Sequence, residues 1–286
     1  MASTMIVRVL LSTTTPPTAE ITGHGDRRFV RVSVQGYTTQ DDLDALAANL
    51  AGSFEYYARA ADRFGTGLPP IPATLDFTPA WVTNLDTGHM VVRSSPAAAS
   101  IDNGAPVVIV GDQGGHVNAL RLTDGSKVWA ASTSGAAADS TVSVVGAGSG
   151  IRIYAGVGNS ADPTVGGYLA LGSTGNRLWF RQPRARPSGG KVGVMSSMTV
   201  GDFQGADQVV SGSMGQMAYA MNAQGGVLFG FPWFEADSNF ATPATLDVDG
   251  NGYDEIVMGG DSTAGVAFGH TYTNGGALRI VSGRGN

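Results

Sequence analysis

A spacing of 50 residues recurs through most of the chain and restricts the folds that it can adopt. Four glycines follow this spacing, namely Gly125, Gly175, Gly225 and Gly275. Aromatic residues lie four positions after the first three of them, at Trp129, Trp179 and Phe229. Short apolar strands flank each glycine, so that each unit alternates strands with glycine turns. A repeat of about 50 residues built from short strands has the length of a β-propeller blade.

The repeat predicts four units, at residues 92–130, 137–180, 192–234 and 238–282, and Trp81 marks part of a fifth. A ring of six to eight blades would need roughly 300–400 residues at this period. We therefore expect a mainly β fold in which residues 81–286 form a partial β-propeller of about four blades. Open blade edges carry unpaired N–H and C=O groups. The chain is thus expected to be a piece of a longer product or to self-associate through these edges.

Composition excludes several classes of protein. Glycine accounts for 42 of the 286 residues, which suits short strands and turns better than long helices. The net charge is −6 and the only lysines are Lys127 and Lys191, so the basic surface that nucleic acid binding needs is missing. No apolar run reaches the ~18 residues of a membrane span. The chain has no cysteine, which excludes disulfides and cysteine-bound metals.

Residues 1–70 lack the repeat and are predicted to form a small α+β segment. Residues 5–12 and 28–35 alternate like strands, and an amphipathic pattern after Thr39 predicts a helix to about Phe64. Residues 65–70 are typical of a linker. Residues 29–50 faintly resemble the C-terminal end of class V aminotransferases. Such enzymes need a Schiff-base lysine in a large domain, so no aminotransferase activity is expected.

The loop that begins at residue 247 places oxygen atoms at alternate positions. Asp247, Asp249 and Asn251 supply side-chain oxygens at positions one, three and five, the carbonyl of Tyr253 lies at seven, and Glu255 lies at nine. Calcium takes six to eight oxygen ligands, and alternate residues of a tight loop can converge on it. These five residues therefore form the predicted Ca²⁺ site. The alternative is an ordinary polar turn, since Asp, Asn and Gly are common turn residues.

This loop resembles the calcium loop of FG-GAP repeats (VCBS or integrin-alpha-type repeats), which are blades of a β-propeller. Residues 230–232 (Gly-Phe-Pro) and 242–244 (Thr-Pro-Ala) add to the resemblance in the third and fourth units. In the third unit Gln204 and Gln208 replace carboxylates, so no ion is expected there. Within the first unit, residues 107–129 resemble a PQQ-type repeat, which ends in tryptophan after a glycine turn. The FG-GAP resemblance implies an extracellular or cell-surface location, although no signal peptide is recognised in the chain.

The remaining motifs predict structural roles and not ligand binding. Residues 144–150 are rich in glycine, but Ile151 occupies the third glycine position of a dinucleotide loop, so a blade turn is expected. The four histidines, at positions 24, 89, 116 and 270, show no metal-ligand spacing, and structural or surface roles are expected for them. Trp129, Trp179 and Phe229 are expected to dock neighbouring blades.

The sequence is compatible with two classes of function. The first is a calcium-binding propeller that acts as an interaction module for a protein or carbohydrate ligand through its loops. The second is a fragment of a propeller enzyme, such as a PQQ-type quinoprotein dehydrogenase, for which the sequence supplies no catalytic residues. A cluster of His, Arg and carboxylates near the propeller axis would favour the enzyme, and an empty axis would favour binding.

Overall fold

The computed structural model of the protein describes residues 21–24, 27–30, 79–85, 89–101, 104–184, 190–267 and 269–284. Its contacts divide the chain into two units, Met1–Pro79 and Ala80–Asn286. In the first unit, strands β1 (Ile21–His24) and β2 (Arg27–Val30) form an antiparallel hairpin. The second of these strands overlaps the strand predicted at residues 28–35. The strand predicted at 5–12, the helix after Thr39 and the linker at 65–70 lie outside the described residues.

The second unit begins with a four-stranded antiparallel sheet, called blade 1 here. Its strands follow chain order, β3 (Ala97–Ser100), β4 (Pro106–Gly111), β5 (His116–Arg121) and β6 (Lys127–Ser132). The two middle strands consist largely of apolar residues, and several of their side chains are fully buried. A strand with both faces buried reads as a continuous apolar run rather than an alternating one, which explains the composition of β4.

Blade 2 repeats this arrangement with β7 (Ser143–Val145), β8 (Arg152–Val157), β9 (Gly167–Leu171) and β10 (Arg177–Arg181). A short 3-10 turn at Gly148–Gly150 joins β7 to β8. The glycine-rich part of segment 144–150, after the end of β7, therefore forms the blade turn that the sequence predicts.

Blade 3 consists of β11 (Thr199–Gly201), β12 (Gln208–Ser211), β13 (Met217–Met221) and β14 (Trp233–Phe234). It differs from the first two blades in its outermost strand. Only an isolated bridge pairs Met221 with Val227, and regular pairing begins again at β14. Pro232 lies in the interval and has no N–H to donate to a ladder.

Blade 4 has three strands, in the order β15 (Ala244–Leu246), β16 (Glu255–Gly260) and β19 (Ala277–Ser282). A separate hairpin, β17 (Gly265–Ala267) and β18 (His270–Tyr272), is inserted between β16 and β19. The alternation of strands and glycine turns that the repeat predicts for each unit does not hold here, because the strands that follow β16 pair with each other and not with β16. The partner of β16 is instead β19, in which Val281 lies opposite the buried Ile256.

The hydrophobic core lies in layers between successive blades. One buried cluster joins blades 1 and 2, a second joins blades 2 and 3, and a third joins blades 3 and 4. The innermost strands β3, β7, β11 and β15 pack in that order. No strand ladder joins blade 1 to blade 4 among the described residues. The mainly β fold with propeller-type blades is confirmed, and no helix found in the described ranges has the length and apolar character to cross a bilayer.

A tryptophan near the outer edge of one blade contacts a glycine in the next, and this contact repeats along the chain. The indole Nε1–H of Trp129 donates to the carbonyl of Ser173 at 3.0 Å, and that of Trp179 donates to Ala223 at 2.9 Å. The following glycines, Gly175 and Gly225, have φ near +75° and +77°. A Cβ on either would lie 2.8 Å from the indole ring. The predicted docking of both tryptophans on neighbouring blades is confirmed.

The same contact occurs before blade 1. Trp81 donates its indole N–H to Leu122 at 2.9 Å, and a Cβ on Gly125 would lie 2.3 Å from its ring. Trp81 therefore covers blade 1 as Trp129 covers blade 2. The sequence prediction that Trp81 belongs to a further repeat agrees with this position.

The fourth member of the series does not follow the pattern. Phe229 is 77% exposed, so its predicted docking is wrong. Gly275 has φ +134° and nothing within 4 Å of a built Cβ. Gly275 lies between the inserted β17–β18 hairpin and β19, so its 50-residue spacing does not give it the contact that Gly175 and Gly225 make.

Replacing Gly175 with alanine tests the tryptophan–glycine contact. Gly104→Ala is the matched control, because Gly104 has a similar φ of +70° but open space around its Cβ position. Both variants incur the strain of a left-handed residue. Only Gly175→Ala also meets the Trp129 ring, so it should lose about 1–3 kcal/mol more of the free energy of unfolding. Denaturant titration measures both values. Equal losses would contradict the importance of the contact.

Candidate metal centres and axial cavity

The predicted calcium loop joins β15 to β16 at the end of blade 4. Gly250 and Gly252 have φ of +76° and +85°, which allow the chain to turn back tightly within a few residues. The loop is exposed at its tip, whereas Asp247 and Glu255 at its two ends are half-buried.

Three of the predicted ligands converge in this loop. Asp247, Asp249 and Glu255 each offer a carboxylate oxygen, and these oxygens lie within 4.8 Å of one another. Asp247 anchors the arrangement. Its Oδ1 accepts from the N–H of Gly250 at 2.8 Å, and its Oδ2 accepts from Gly252 at 2.8 Å.

The remaining side chains of the loop are held by backbone N–H groups. Asp249 Oδ1 accepts from Asn251 at 3.0 Å, and Asn251 Oδ1 accepts from Tyr253 at 2.9 Å. Glu255 Oε2 accepts from Val248 at 3.0 Å. Each bond leaves further lone pairs on the oxygen, since a carboxylate has about four acceptor positions. Oxygen is the only ligand type offered here.

The corresponding loop of blade 3 has Gln204 and Gln208 in place of two of these carboxylates. Gln208 Oε1 accepts from the N–H of Gln204 at 2.7 Å, as Glu255 does from Val248 in blade 4. The Gln204 side chain donates to the carbonyls of Phe229 at 2.9 Å and Gly283 at 3.0 Å. Protein hydrogen bonds therefore occupy the amide groups of this loop.

A second cluster, which the sequence analysis missed, contains His89, Asp112 and His116. Their ligand atoms also lie within 4.8 Å of one another. Nδ1 of His89 is 3.6 Å from Asp112 Oδ2, and Nδ1 of His116 is 3.6 Å from Oδ1. The four-residue step from Asp112 to His116 was visible in the sequence, but only the fold brings His89 to it. The sequence predicts only structural or surface roles for these two histidines and does not indicate that they lie together.

A cavity of about 450 Å³ lies where the chain leads into the innermost strands of the four blades. Residues from the segments before β3, β7, β11 and β15 line it, among them Arg93, Asp139, Met195 and Phe240. Serine and threonine hydroxyls from the same segments contribute most of the remaining lining. This cavity, called the axial cavity here, thus lies beside the segments that lead into the innermost strands of all four blades.

Asp139 is the buried charged group of this cavity. Its Oδ1 accepts from Gln113 Nε2 at 3.3 Å, and its Oδ2 lies 3.9 Å from Arg93 Nη1 without a hydrogen-bond partner. Burial raises the pKa of the Asp139 carboxyl, although the bond from Gln113 and the charge of Arg93 oppose this shift. Perturbed carboxyl groups in a cleft are typical of functional sites.

Glu235, just after β14, is a second buried carboxyl. It is 3% exposed, accepts a hydrogen bond from Asn239 Nδ2, and has an unpartnered Oε1. Burial raises the pKa of Glu235 to about 8, against opposing contributions from Asn239 and Arg279. The folded protein therefore holds this carboxyl mostly protonated at neutral pH.

No protein-family model matches the chain, and no curated protein matches it. Among solved structures, it is similar to BamB from Moraxella catarrhalis, at 15% identity and TM-score 0.40, over 63% of this chain and 46% of that one. A europium-containing methanol dehydrogenase gives 11% identity and TM-score 0.41, over 59% and 39%. The biofilm matrix protein Bap1 of V. cholerae gives 19% and 0.43, over 62% and 30%.

The chain spans less than half the length of these three structures. Identities below 20% and TM-scores near 0.4 carry no argument about function.

The raised pKa of Glu235 predicts a pH dependence of stability. Between about pH 5 and 8 the folded state binds a proton that the unfolded state has released, so the free energy of unfolding should fall as pH rises. The slope from this group is at most about 1.4 kcal/mol per pH unit. The stabilisation is complete below the ordinary pKa of 4.5 and lost above about 8.

Glu235→Gln is neutral at every pH and should remove this slope. Asp139 contributes a slope of the same sign in both proteins, so the difference between the two profiles isolates Glu235. Denaturant unfolding from pH 5 to 9 measures that difference. Parallel profiles would show that Glu235 is ionised in the folded protein.

Proposed function

We propose that this chain is a calcium-binding β-propeller module of the FG-GAP type that binds a protein or carbohydrate ligand. The observation that carries the proposal is the convergence of three carboxylates on one glycine-containing loop, within 4.8 Å of one another. Without a cation, these negative charges repel one another; with one, they become ligands. Oxygen-only donors favour a hard ion such as Ca²⁺ over a softer transition metal.

The calcium loop is connected to the neighbouring blade. Asp254 lies in the loop between Tyr253 and Glu255, and its N–H donates to the carbonyl of Asp202 at 2.9 Å. The N–H of Asp202 donates in return to Asp254 Oδ2, also at 2.9 Å. An ion that orders the loop between β15 and β16 would therefore also order the contact between blades 3 and 4. Its role would be structural.

The axial cavity is the proposed place for a small ligand of the module. Hydroxyl groups, Arg93 and Asp139 can exchange hydrogen bonds with a polar ligand, and the half-exposed ring of Phe240 offers an apolar surface beside them. A sugar combines hydroxyl groups with an apolar ring face, so a carbohydrate fits this lining. In a concave site, a small number of polar groups that converge on the ligand usually determine its specificity.

A propeller enzyme, such as a fragment of a PQQ-type quinoprotein, is the second candidate. The pairing of Arg93 with a buried carboxyl of raised pKa favours it, because catalytic acids and bases are often tuned in this way. Asp139→Asn separates the two candidates. The substitution would abolish turnover in an enzyme, whereas in a binding protein it would change ligand affinity alone.

The outer face of blade 4 supports the proposal that the chain self-associates. Leu246, Leu278 and Ile280 lie on one face of the blade and are 62%, 76% and 60% exposed. The equivalent faces of blades 1 to 3 are covered by the next blade. A second copy of the chain could cover this face.

Self-association predicts a concentration-dependent molecular mass in sedimentation velocity experiments. Leu278→Lys combined with Ile280→Lys places two charges on the apolar face and should shift the protein to the monomer. Val266→Lys is the control, because Val266 is 73% exposed on the separate β17–β18 hairpin. A wild-type chain that stays monomeric at every concentration would remove the proposal.

We predict that isothermal titration calorimetry with calcium will show a single binding site. Asp249→Asn is the sharpest variant, since it removes one charge but keeps an oxygen that can accept from Asn251. It should weaken calcium binding at least tenfold, about 1.4 kcal/mol. For the wild type, calcium at 100 times its dissociation constant should add about 2.7 kcal/mol to the free energy of unfolding.

The matched control is Asp162→Asn, which changes an exposed loop aspartate bound to Thr164 by hydrogen bonds. It should bind calcium as the wild type does. If the wild type shows neither heat nor a thermal shift with calcium, the site does not exist. If Asp249→Asn binds as tightly as the wild type, the ion is held elsewhere.

A further inference from the structure

We infer that His89, Asp112 and His116 form a second metal site, specific for a divalent ion of the Zn²⁺ class. It is distinct from the calcium loop in residues, blade and ligand chemistry, and it does not rest on the proposed function. The site lies at the turn between β4 and β5 in blade 1, where the segment before β3 crosses it.

The distances within the cluster suit a shared ion better than direct hydrogen bonds. Each histidine Nδ1 is 3.6 Å from a different oxygen of Asp112, which is too long for a hydrogen bond. Two ligands on a tetrahedral zinc ion, with bonds of about 2.0–2.2 Å, lie about 3.4 Å apart. His116 Nδ1 is buried and has no hydrogen-bond partner. A buried nitrogen that has no hydrogen-bond partner and lies beside a carboxylate is free to ligate a cation.

The carboxylate at the centre is held in place by other groups. Asp112 is 1% exposed. Its Oδ1 accepts from the N–H of His116 at 2.9 Å, and its Oδ2 accepts from Asn118 Nδ2 at 2.8 Å. Hydrogen bonds that orient a ligating carboxylate are the usual support of a protein metal site. Asp112 is thus fixed in orientation before any ion arrives.

The position of His89 depends on the glycine in the turn opposite. A Cβ built on Gly114 would lie 2.1 Å from Cδ2 of the His89 ring, so only glycine leaves room for the imidazole. The N–H of Gln113 also donates to the carbonyl of Met90 at 2.9 Å. This bond fastens the segment that carries His89 to the turn that carries Asp112.

The two imidazoles face the carboxylate together. Their rings stack with centroids 4.8 Å apart and an angle of 27° between their planes. Imidazole nitrogen and carboxylate oxygen are the ligands of zinc sites with three protein groups. The side chains of His89 and His116 are 23% and 31% exposed, so solvent reaches the cluster. A water molecule would complete the coordination of the ion.

Zinc titration of the full chain in excess calcium tests the site, because calcium keeps the acidic loop occupied. The wild type should bind one equivalent of Zn²⁺, and Co²⁺ in its place should give the visible absorption of a tetrahedral nitrogen and oxygen site. His89→Ala and His116→Ala should each weaken Zn²⁺ binding at least tenfold. Gly114→Ala should do so as well, although it removes no ligand, because it displaces the His89 ring.

Two controls should bind Zn²⁺ as the wild type does. His270→Ala removes an exposed histidine on β18, and Asp249→Asn alters the calcium loop. Circular dichroism and thermal melting without metal should show that each variant is folded, and His116→Gln replaces His116→Ala if that variant is not. Zinc binding that survives the loss of either His89 or His116 would overturn the inference. So would a wild type that binds no Zn²⁺.

Discussion

The packing of an indole ring on a glycine of the next blade is the contact on which the order of the propeller depends. Trp81, Trp129 and Trp179 each donate an N–H to a turn carbonyl and lie against a glycine that has no room for a Cβ. For Trp129 and Trp179 the glycine lies in the next blade and has a left-handed backbone, so one contact constrains both the turn and the separation of two sheets. The buried clusters between blades 1 and 2 and between blades 2 and 3 form at that separation, whereas blades 3 and 4 pack through their own cluster without such a contact.

The sequence predicts blades 1 to 3 well because this contact leaves a periodic mark in the chain. The prediction fails for blade 4 because a repeat period gives the spacing of residues along the chain and not the pairing of strands. Gly275 continues the 50-residue spacing, but it follows the inserted hairpin and no aromatic ring packs on it. Phe229, which would be its partner, is exposed. Pairing in blade 4 follows burial instead, since Ile256 meets Val281 across β16 and β19. No local pattern distinguishes a blade strand from an inserted hairpin of similar composition.

The two proposed metal sites differ in how much of each the sequence could reveal. The predicted calcium loop is local: every proposed ligand lies within nine residues, and backbone N–H groups of the same loop donate to Asp247. Its spacing is therefore visible without a fold. The histidine cluster joins His89 to a turn more than 20 residues later, and the space that it needs comes from the missing side chain of Gly114. The buried carboxyls Asp139 and Glu235 were missed for a related reason, because burial is a property of the assembled blades.

Acidic residues are almost absent from the strands of the propeller unit. From β3 to β19 the only one is Glu255, the first residue of β16. Asp112, Asp139 and Glu235 all lie in connections between strands. A strand buried between two blades would have to bury a charge without partners, which is costly, whereas a turn can supply N–H donors or a bound cation. The strands therefore serve packing, and the connections carry the groups that can bind. The two proposed sites differ in their candidate ligands, with oxygen alone in blade 4 and nitrogen with oxygen in blade 1. The first set suits a hard ion, and the second suits a softer one.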